Sequence, residues 1–382
     1  MSLESLVINP SINVSPYCYS ILRVEPYSSC WHRCIYCFGR WYRADSADES
    51  IVEPNSIGNF RRTLKFLGRR SLKTMPFRLS TLVDPFQPIE EKYHVSRHIM
   101  SLCLKYRAPL IINTKAVLLS RGELQNILKK LNSEGLVIVQ ISISTVNAEI
   151  AKMLEPNAPP PSDRLDMAEK LSKENIPVII RLQPFMPGIT DYEIDEIIKQ
   201  SHYAGARQII VEALRDEVEN LKIYEGLAYE KDAYRDLDSW IHYSPSVEVS
   251  SKIIRPSVKW RLKAYARVKE LCDRYGLEFS TCKEGFYNYH TARNCCGMHH
   301  LEDGKYLLRP TLSEAWAYYE KRGVIPRFDE FASELADIYL FGERIRQYPR
   351  ELRKKILSHE KILREVLDER RDMIKALLPT LT

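Results

Sequence analysis

Six short, nearly continuous apolar runs, separated by stretches with helical periodicity, limit this chain to very few folds. They are "CYSILRVEP" (18–26), "FRLSTLV" (77–83), "APLIINTKAVL" (108–118), "GLVIVQISIST" (135–145), "IPVIIRLQPF" (176–185) and "ARQIIVEAL" (206–214). Runs of this length without strict alternation are the pattern of strands buried on both faces, which occur in parallel sheets covered by helices. The intervening segments carry helix-start signals: Ser120 with Glu123, Thr190 with Glu193, and Ser162 ahead of "DRLDMAEKLSKE", read as capping boxes or N-caps. Strand and helix in alternation give right-handed βαβ units. Six of them predict an α/β fold, a partial (β/α)6-type TIM barrel in preference to an open sheet.

The alternation stops near residue 215. Charged, aromatic and helical segments follow until "GLEFSTC" (276–282), which reads as one more strand, and 311–378 read as helical almost throughout. The expected organisation is a barrel core over 1–215, a segment completing the barrel over 216–310, and a mostly helical C-terminal region over 311–382. In "LRKKILSHEKILREVLDERRDMIKALL" the apolar positions Ile356, Ile362, Val366 and Ile374 stand among dense mixed charge. This is the stripe of an amphipathic helix packed on the barrel, with a basic rim for phosphates as the alternative.

No run approaches the ~18 apolar residues of a membrane span, and "MSLESLVINP" has neither the basic start nor the apolar stretch of a signal peptide. A cytoplasmic protein is expected, in a compartment where thiols stay reduced. Nine cysteines, clustered, then point to metal binding or catalysis rather than disulfides. The net charge of +6 permits a polyanionic partner without demanding one.

The first cluster, "YSSCWHRCIYCFGRWY" (27–42), holds Cys30, Cys34 and Cys37 directly after the first predicted strand. Three thiolates at this spacing can face one metal centre. A single zinc normally takes four ligands, and His32 is awkwardly placed to be the fourth. An iron–sulfur cube bound by three cysteines keeps one iron open for a substrate or cofactor.

This Cys-x3-Cys-x2-Cys spacing, at this place in a βα series and with Tyr36 and Phe38 beside the last cysteine, resembles the signature of the radical S-adenosylmethionine superfamily. "TLVDPFQPIEEKYHVSR", "INTKAVLLSR", "ISISTVNAEIAKMLEPNAPPPSDRL" and "RLQPFMPGITDYE" follow in order. Together they narrow the resemblance to the spore photoproduct lyase-like branch, often described as DNA repair photolyase-like. It covers roughly residues 18–215 and weakens towards 300.

The resemblance implies a 4Fe–4S cluster on Cys30, Cys34 and Cys37, with S-adenosyl-L-methionine chelated by the open iron. One electron, from a donor such as flavodoxin or ferredoxin, would release a 5′-deoxyadenosyl radical that takes hydrogen from the substrate. The substrate it implies is a nucleic-acid base in DNA or RNA. His32, Arg33, Arg40, Trp41 and Arg43 are candidates for contacting phosphate or stacking a base. The other readings are radical modification of a peptide or small molecule, and a metal-binding nucleic-acid-binding module without catalysis. In one respect the chain departs from the family: spore photoproduct lyase uses a cysteine near its second strand as hydrogen donor, and "FRLSTLVD" has none.

Candidate cofactor-binding residues lie at strand ends, the catalytic end of an α/β barrel. Ser80, Thr81 and Asp84 are read as holding the methionine ammonium. Lys115 pairs with its carboxylate, and Ser142 and Ser144 with carboxylate or ribose. Arg181 and Gln183, polar within an apolar strand, need a partner, either a cofactor carboxylate or Glu155. Glu155 and Arg164 are expected to pair and order the loop between them. A second group, Cys282, Cys295 and Cys296 with His290, His299 and His300 nearby, is read as a second iron–sulfur cluster, a zinc site, a redox pair or packed core. Cys18, Cys103 and Cys272 are read as core.

Overall fold

A computed structural model of the chain describes residues 6, 8, 11–12, 14–41, 56–243 and 252–381. Seven strands form one sheet: β1 (Leu22–Val24), β2 (Phe77–Leu79), β3 (Leu110–Thr114), β4 (Val137–Ser142), β5 (Val178–Phe185), β6 (Gln208–Ala213) and β10 (Glu278–Thr281). They lie in that order, and every pairing is parallel. All six predicted strands form, and "GLEFSTC" supplies the seventh beside β6. Between β6 and β10, β7 (Asp216–Glu217), β8 (Trp240–His242) and β9 (Ile253–Pro256) make a small antiparallel sheet.

The crossovers are helical: α1 (Ser56–Arg69), α2 (Glu90–Tyr93), α3 (Val95–Tyr106), α4 (Gly122–Ser133), α5 (Ala148–Leu154), α6 (Pro161–Lys173) and α7 (Ile194–Tyr203). After β7 come α8 (Leu221–Leu227) and α9 (Asp232–Arg235). Helix α10 (Val258–Tyr275) is capped by the Ser257 hydroxyl and ends at Gly276 in the left-handed region. The outward strand residues, among them Val24, Phe77, Ile112, Val139, Ile180 and Val211, form the main core with these helices. Burying side chains of this kind contributes roughly 1.5–3 kcal/mol each before entropy is charged against it.

The three helix starts read from the sequence are placed differently. α4 begins at Gly122 after an uncapped Arg121, and Ser120 turns its hydroxyl to Val117 O. α6 starts with Pro161 in its first turn, so Pro160 rather than Ser162 precedes it. Proline suits the first turn because its missing N–H has no intrahelical partner there. Thr190 donates to Ser144 O, and Glu193 accepts from Thr145 Oγ1 and Val146 N. A local bond to the preceding turn, a proline and tertiary bonds respectively displace the three caps.

The C-terminal region is helical but broken: α11 (Leu312–Arg322), α12 (Phe328–Ala332), α13 (Arg350–Arg364) running into a π turn at Glu365–Glu369, and α14 (Ile374–Leu377). Ile356, Val366 and Ile374 are buried as the stripe predicted, while Ile362 is only half buried beside a buried Leu363. This region clasps the chain's beginning. Arg309 donates to Ser15 O and Cys18 O, and His359 bonds both Ser15 Oγ and Ile8 O.

The register puts Arg78 beside Ile111, Asn113 beside Gln140, Ser142 beside Arg181, and Ile210 beside both Arg181 and Ser280. These residues share the inner face of the sheet. Against Ile111, Ile138, Ile179 and Ile210 on that face pack Cys282, Cys295, Cys296, Met298 and Leu301. The segment after β10 therefore plugs the sheet's concave side. Its backbone runs so close that a Cβ on Gly297 would stand 2.0 Å from Ile179 Cδ1.

Candidate active site

The cysteine loop leaves the C-terminal end of β1 and is held from two sides. From the loop after β2, Gln87 accepts from Trp31 N (2.7 Å) and donates to Ser29 O (2.9 Å). From the loop after α5, Leu154 O accepts from Ile35 N (2.9 Å), and Asn157 donates to Trp31 O (2.9 Å). Cys30, Cys34 and Cys37 are free thiols, each partly exposed. Burial, then the Asp84 charge, pushes Cys30 up to about 12. Burial raises Cys34 too, against the pull of Lys115. No three ligand atoms from these cysteines lie within 4.8 Å of one another, whereas another group of side chains does. The spread suits a polynuclear cluster rather than one ion. Behind the loop, a Cβ on Gly39 would stand 3.2 Å from Cys37 Sγ and 2.9 Å from Leu82 O, so only glycine leaves this approach open.

Asp84 is brought to this loop, with its carboxylate engaged on every side. It accepts from Lys115 N (2.6 Å), Thr114 Oγ1 (2.9 Å) and Phe86 N (2.9 Å), and faces His32 Nε2 at 3.2 Å. Burial pushes this carboxyl up, but His32 and the backbone donors outweigh it and hold it at about 2. Asp84 thus ties the ends of β2 and β3 to the cysteine loop, and its amide donates to Cys30 Sγ at 3.4 Å. Ser80 turns its hydroxyl to Val83 O. Thr81 donates its N–H (2.9 Å) and hydroxyl to Glu25, a fully buried carboxylate just past β1.

On the other side of the loop, Glu155 and Arg164 form the expected ion pair, almost wholly buried. Arg164 also donates to Ser142 O (3.1 Å), and the Tyr36 hydroxyl donates to Glu155 and lies 3.3 Å from Ser144 Oγ. Lys115 Nζ lies 5.4 Å from the Tyr36 ring centre. Burial works against its charge, but Cys34 and Glu155 raise its basicity overall. Glu155 stays ionised because Arg164 and Lys115 outweigh its burial. Lys115 thus stands beside Cys34, Ser144 reaches the cysteine loop through the Tyr36 hydroxyl, and Ser142 is tied in only through its carbonyl.

Arg181 and Gln183 face the inside of the sheet, but Glu155 is not their partner. Arg181 donates to Gln183 Oε1 (3.0 Å) and Gln140 Oε1 (2.9 Å) and approaches Cys282 Sγ at 3.6 Å. Gln183 donates to Glu212 (2.6 Å), which also pairs with Arg215 and Lys283. Arg78 donates to Asn113 Oδ1 (3.0 Å) and Cys296 Sγ (3.1 Å). Parity within the strands separates Glu155, on a loop, from Arg181, on the inner wall.

The second cysteine group lies in the plug. Cys295 Sγ and Cys296 Sγ are 3.7 Å apart, and all three thiols are buried. The Cys295 thiol, followed by Arg78 and Arg181, lowers the Cys296 thiol against its burial. The nearby histidines turn elsewhere. His290 bonds Thr281, His299 and His300 turn to Glu278, and among the described residues no cysteine joins a group of three converging ligands. These cysteines and a histidine do not converge as a single ion's ligand set among the described residues. Cys18, Cys103 and Cys272 are buried, as read.

Sequence reasoning missed Glu25, Arg78, Gln140 and Glu212. Each is a polar residue in or beside an apolar strand, and each shares the inward parity of Arg181, which was the available signal. Arg43 lies outside the described residues, as do the side chains of Arg40 and Trp41.

Residues 24–200 match the Radical SAM superfamily. Over that stretch the chain carries a radical SAM domain. An uncharacterised protein of Acidianus two-tailed virus is 28% identical over 158 residues, covering 40% of this chain and 50% of that relative. One from Mycobacterium tuberculosis is 26% identical over 212 residues, covering 53% and 60%. The chain thus spans about half to three-fifths of these relatives' length. Among solved structures, a cysteine-to-serine variant of spore photoproduct lyase superposes with a TM-score of 0.53 at 12% identity, covering 69% of this chain and 76% of that one. Spore photoproduct lyase complexed with dinucleoside spore photoproduct gives 0.52 at 12% identity, with 73% and 80% covered. The likeness is one of fold: a partial α/β barrel with a helical C-terminal region.

Proposed function

We propose that this chain is a radical S-adenosylmethionine enzyme acting on a base in nucleic acid. One observation carries the enzymatic part. Three free thiols sit at the C-terminal end of β1, spread too widely for one ion, in a loop braced by Asp84, Gln87 and Leu154 and kept open by Gly39. These residues suit a 4Fe–4S cluster bound through Cys30, Cys34 and Cys37. When bound, the cluster with S-adenosylmethionine supplies reductive C5′–S cleavage and a hydrogen-abstracting 5′-deoxyadenosyl radical.

The chain's own residues then orient and shield. Lys115, beside Cys34, is placed for the methionine carboxylate. Ser142, Ser144 and Gln183 offer polar groups along the same mouth, while Asp84 and Thr81 act by positioning the loops. Arg181 holds the inner wall to the plug. Thiols of this kind persist in a reducing compartment, which favours the cytoplasm, with a flavodoxin or ferredoxin as the electron source we propose.

Two features support a nucleic-acid substrate. Trp31 is 53% exposed in the cysteine loop, and Tyr192 and Tyr229 stack at 4.5 Å on loops at the same end of the barrel. Exposed aromatic faces of this kind stack bases at about 1–3 kcal/mol each. Helix α1, in the same βα unit as the cysteines, carries Arg61, Arg62, Lys65 and Arg69, all exposed, and no acidic residue. A phosphate backbone is the complement of such a face. One of the spore photoproduct lyase structures, of similar fold, is complexed with dinucleoside spore photoproduct.

The test is binding of single-stranded oligonucleotide across a salt series. R61E/R62E/K65E should flatten the slope of log K against log salt by about 0.7 per lost contact. Trp31→Ala should weaken binding without altering that slope. Salt-independent binding, or turnover of a peptide without nucleic acid, would give the substrate to another class.

A further inference from the structure

At the end of the barrel away from the cysteine loop, two consecutive histidines and a glutamate converge. Glu278 opens β10, whereas the cysteine loop leaves the C-terminal end of β1, and the strands between are all parallel. One ligand atom from each of Glu278, His299 and His300 lies within 4.8 Å of the others, and this is the one such group among the described residues. Both Nε2 atoms point at the same oxygen: Glu278 Oε2 is 2.6 Å from His299 and 3.2 Å from His300.

The geometry points to a site for a single divalent transition-metal ion, with zinc as its best-suited occupant, bound by Glu278, His299 and His300 and clipping the plug to β10.

Hydrogen bonding alone leaves this arrangement incomplete. His299 Nε2 is within hydrogen-bond distance of the carboxylate, but His300 Nε2 is buried and makes no hydrogen bond despite its 3.2 Å approach. A carboxylate oxygen can accept from two imidazoles, but here only His299 bonds it, which leaves the buried His300 Nε2 available to another ligand. Zinc bonds of ~2.0–2.1 Å in a tetrahedron set neighbouring ligand atoms about 3.4 Å apart. The 3.2 Å separation already has that value, and the 2.6 Å one reaches it with a shift of under about 1 Å.

Burial agrees with this. The histidine side chains are 9% and 12% exposed and the glutamate 36%, so the site is walled by protein on one side and open to a water ligand on the other. The backbone is preset as well. Gly297, at φ 71° and wedged against Ile179, aims the turn that carries both histidines. Two imidazoles and a carboxylate favour zinc, iron(II), cobalt(II) or nickel(II) over magnesium or calcium.

The test counts metals on the full-length, cluster-loaded protein after incubation with zinc and desalting. One zinc per chain beyond the cluster iron is expected. H299A/H300A should lose it while retaining the iron and the cleavage of S-adenosylmethionine. E278Q, which keeps the shape of the side chain, should weaken zinc by at least the roughly 10–100-fold that loss of a supporting partner costs. Cobalt(II) bound to the full-length C30A/C34A/C37A variant should show d–d bands without a sulfur-to-cobalt charge-transfer band. Zinc retained by a soluble, cooperatively melting H299A/H300A, a sulfur charge-transfer band, or absence of zinc from the unsubstituted protein would each overturn the proposal.

Discussion

The chain has two clusters of three cysteines, and the structure treats them in opposite ways. Cys30, Cys34 and Cys37 stand on a loop at the mouth of the barrel, partly exposed and spread apart. Cys282, Cys295 and Cys296 are buried, packed against strand isoleucines and bonded to Arg78, Arg181 and one another. A thiol whose sulfur already accepts a guanidinium has less left to give a metal. Accessibility, more than sulfur count, separates a cluster site from a packed interior.

The sharpest way to break this contrast is to remove one thiol from each group. Cys34→Ala should abolish the reconstituted cluster, read as iron content and visible absorbance falling to background. Cys296→Ala should leave iron unchanged. Iron lost equally from both variants would end the distinction.

The walls of the mouth come next. Arg164→Met strands a buried Glu155, and breaking such a pair typically costs about 3–5 kcal/mol; urea unfolding would measure it. A loss below about 1 kcal/mol would show that Lys115 alone satisfies Glu155.

A smaller effect is expected from Asp84→Asn. Asp84 titrates near 2 in the fold and near 3.9 when unfolded. Its ionised form therefore stabilises fully above about pH 4, and that contribution, on the order of 2 kcal/mol, disappears as pH falls towards 2. On cluster-free protein, the variant should flatten the acid limb of stability over that window; an unchanged limb would remove Asp84 as the tie between strands.

The smallest change belongs to the plug. Cys296→Ala takes away one acceptor of Arg78, at a cost of about 1–3 kcal/mol, visible as a lower melting temperature with cluster chemistry intact.

How much of this was legible in the sequence follows from the range of each interaction. The strands were readable because burial on both faces leaves continuous apolar runs, and even "GLEFSTC" showed through. The cysteine triad was readable because its ligands lie within eight residues. The Glu155–Arg164 pair was readable because both members sit on one loop and its helix. The partners of Arg181 were not, since Gln140 and Cys282 reach it only when β4, β5 and the plug come together. Glu278 and His299 likewise lie 21 positions apart and meet through the plug's return. The cap predictions failed for the same reason: Glu193 was recruited by Thr145 across the barrel rather than by its own helix.

The account rests most directly on what the mouth of the barrel does when its three thiols are loaded. The deciding measurement is formation of 5′-deoxyadenosine from S-adenosylmethionine by the anaerobically reconstituted, dithionite-reduced full-length protein. Product is expected from the intact protein and from Cys296→Ala, and none from Cys34→Ala. An intact cluster bound through these cysteines that leaves S-adenosylmethionine uncleaved would contradict it.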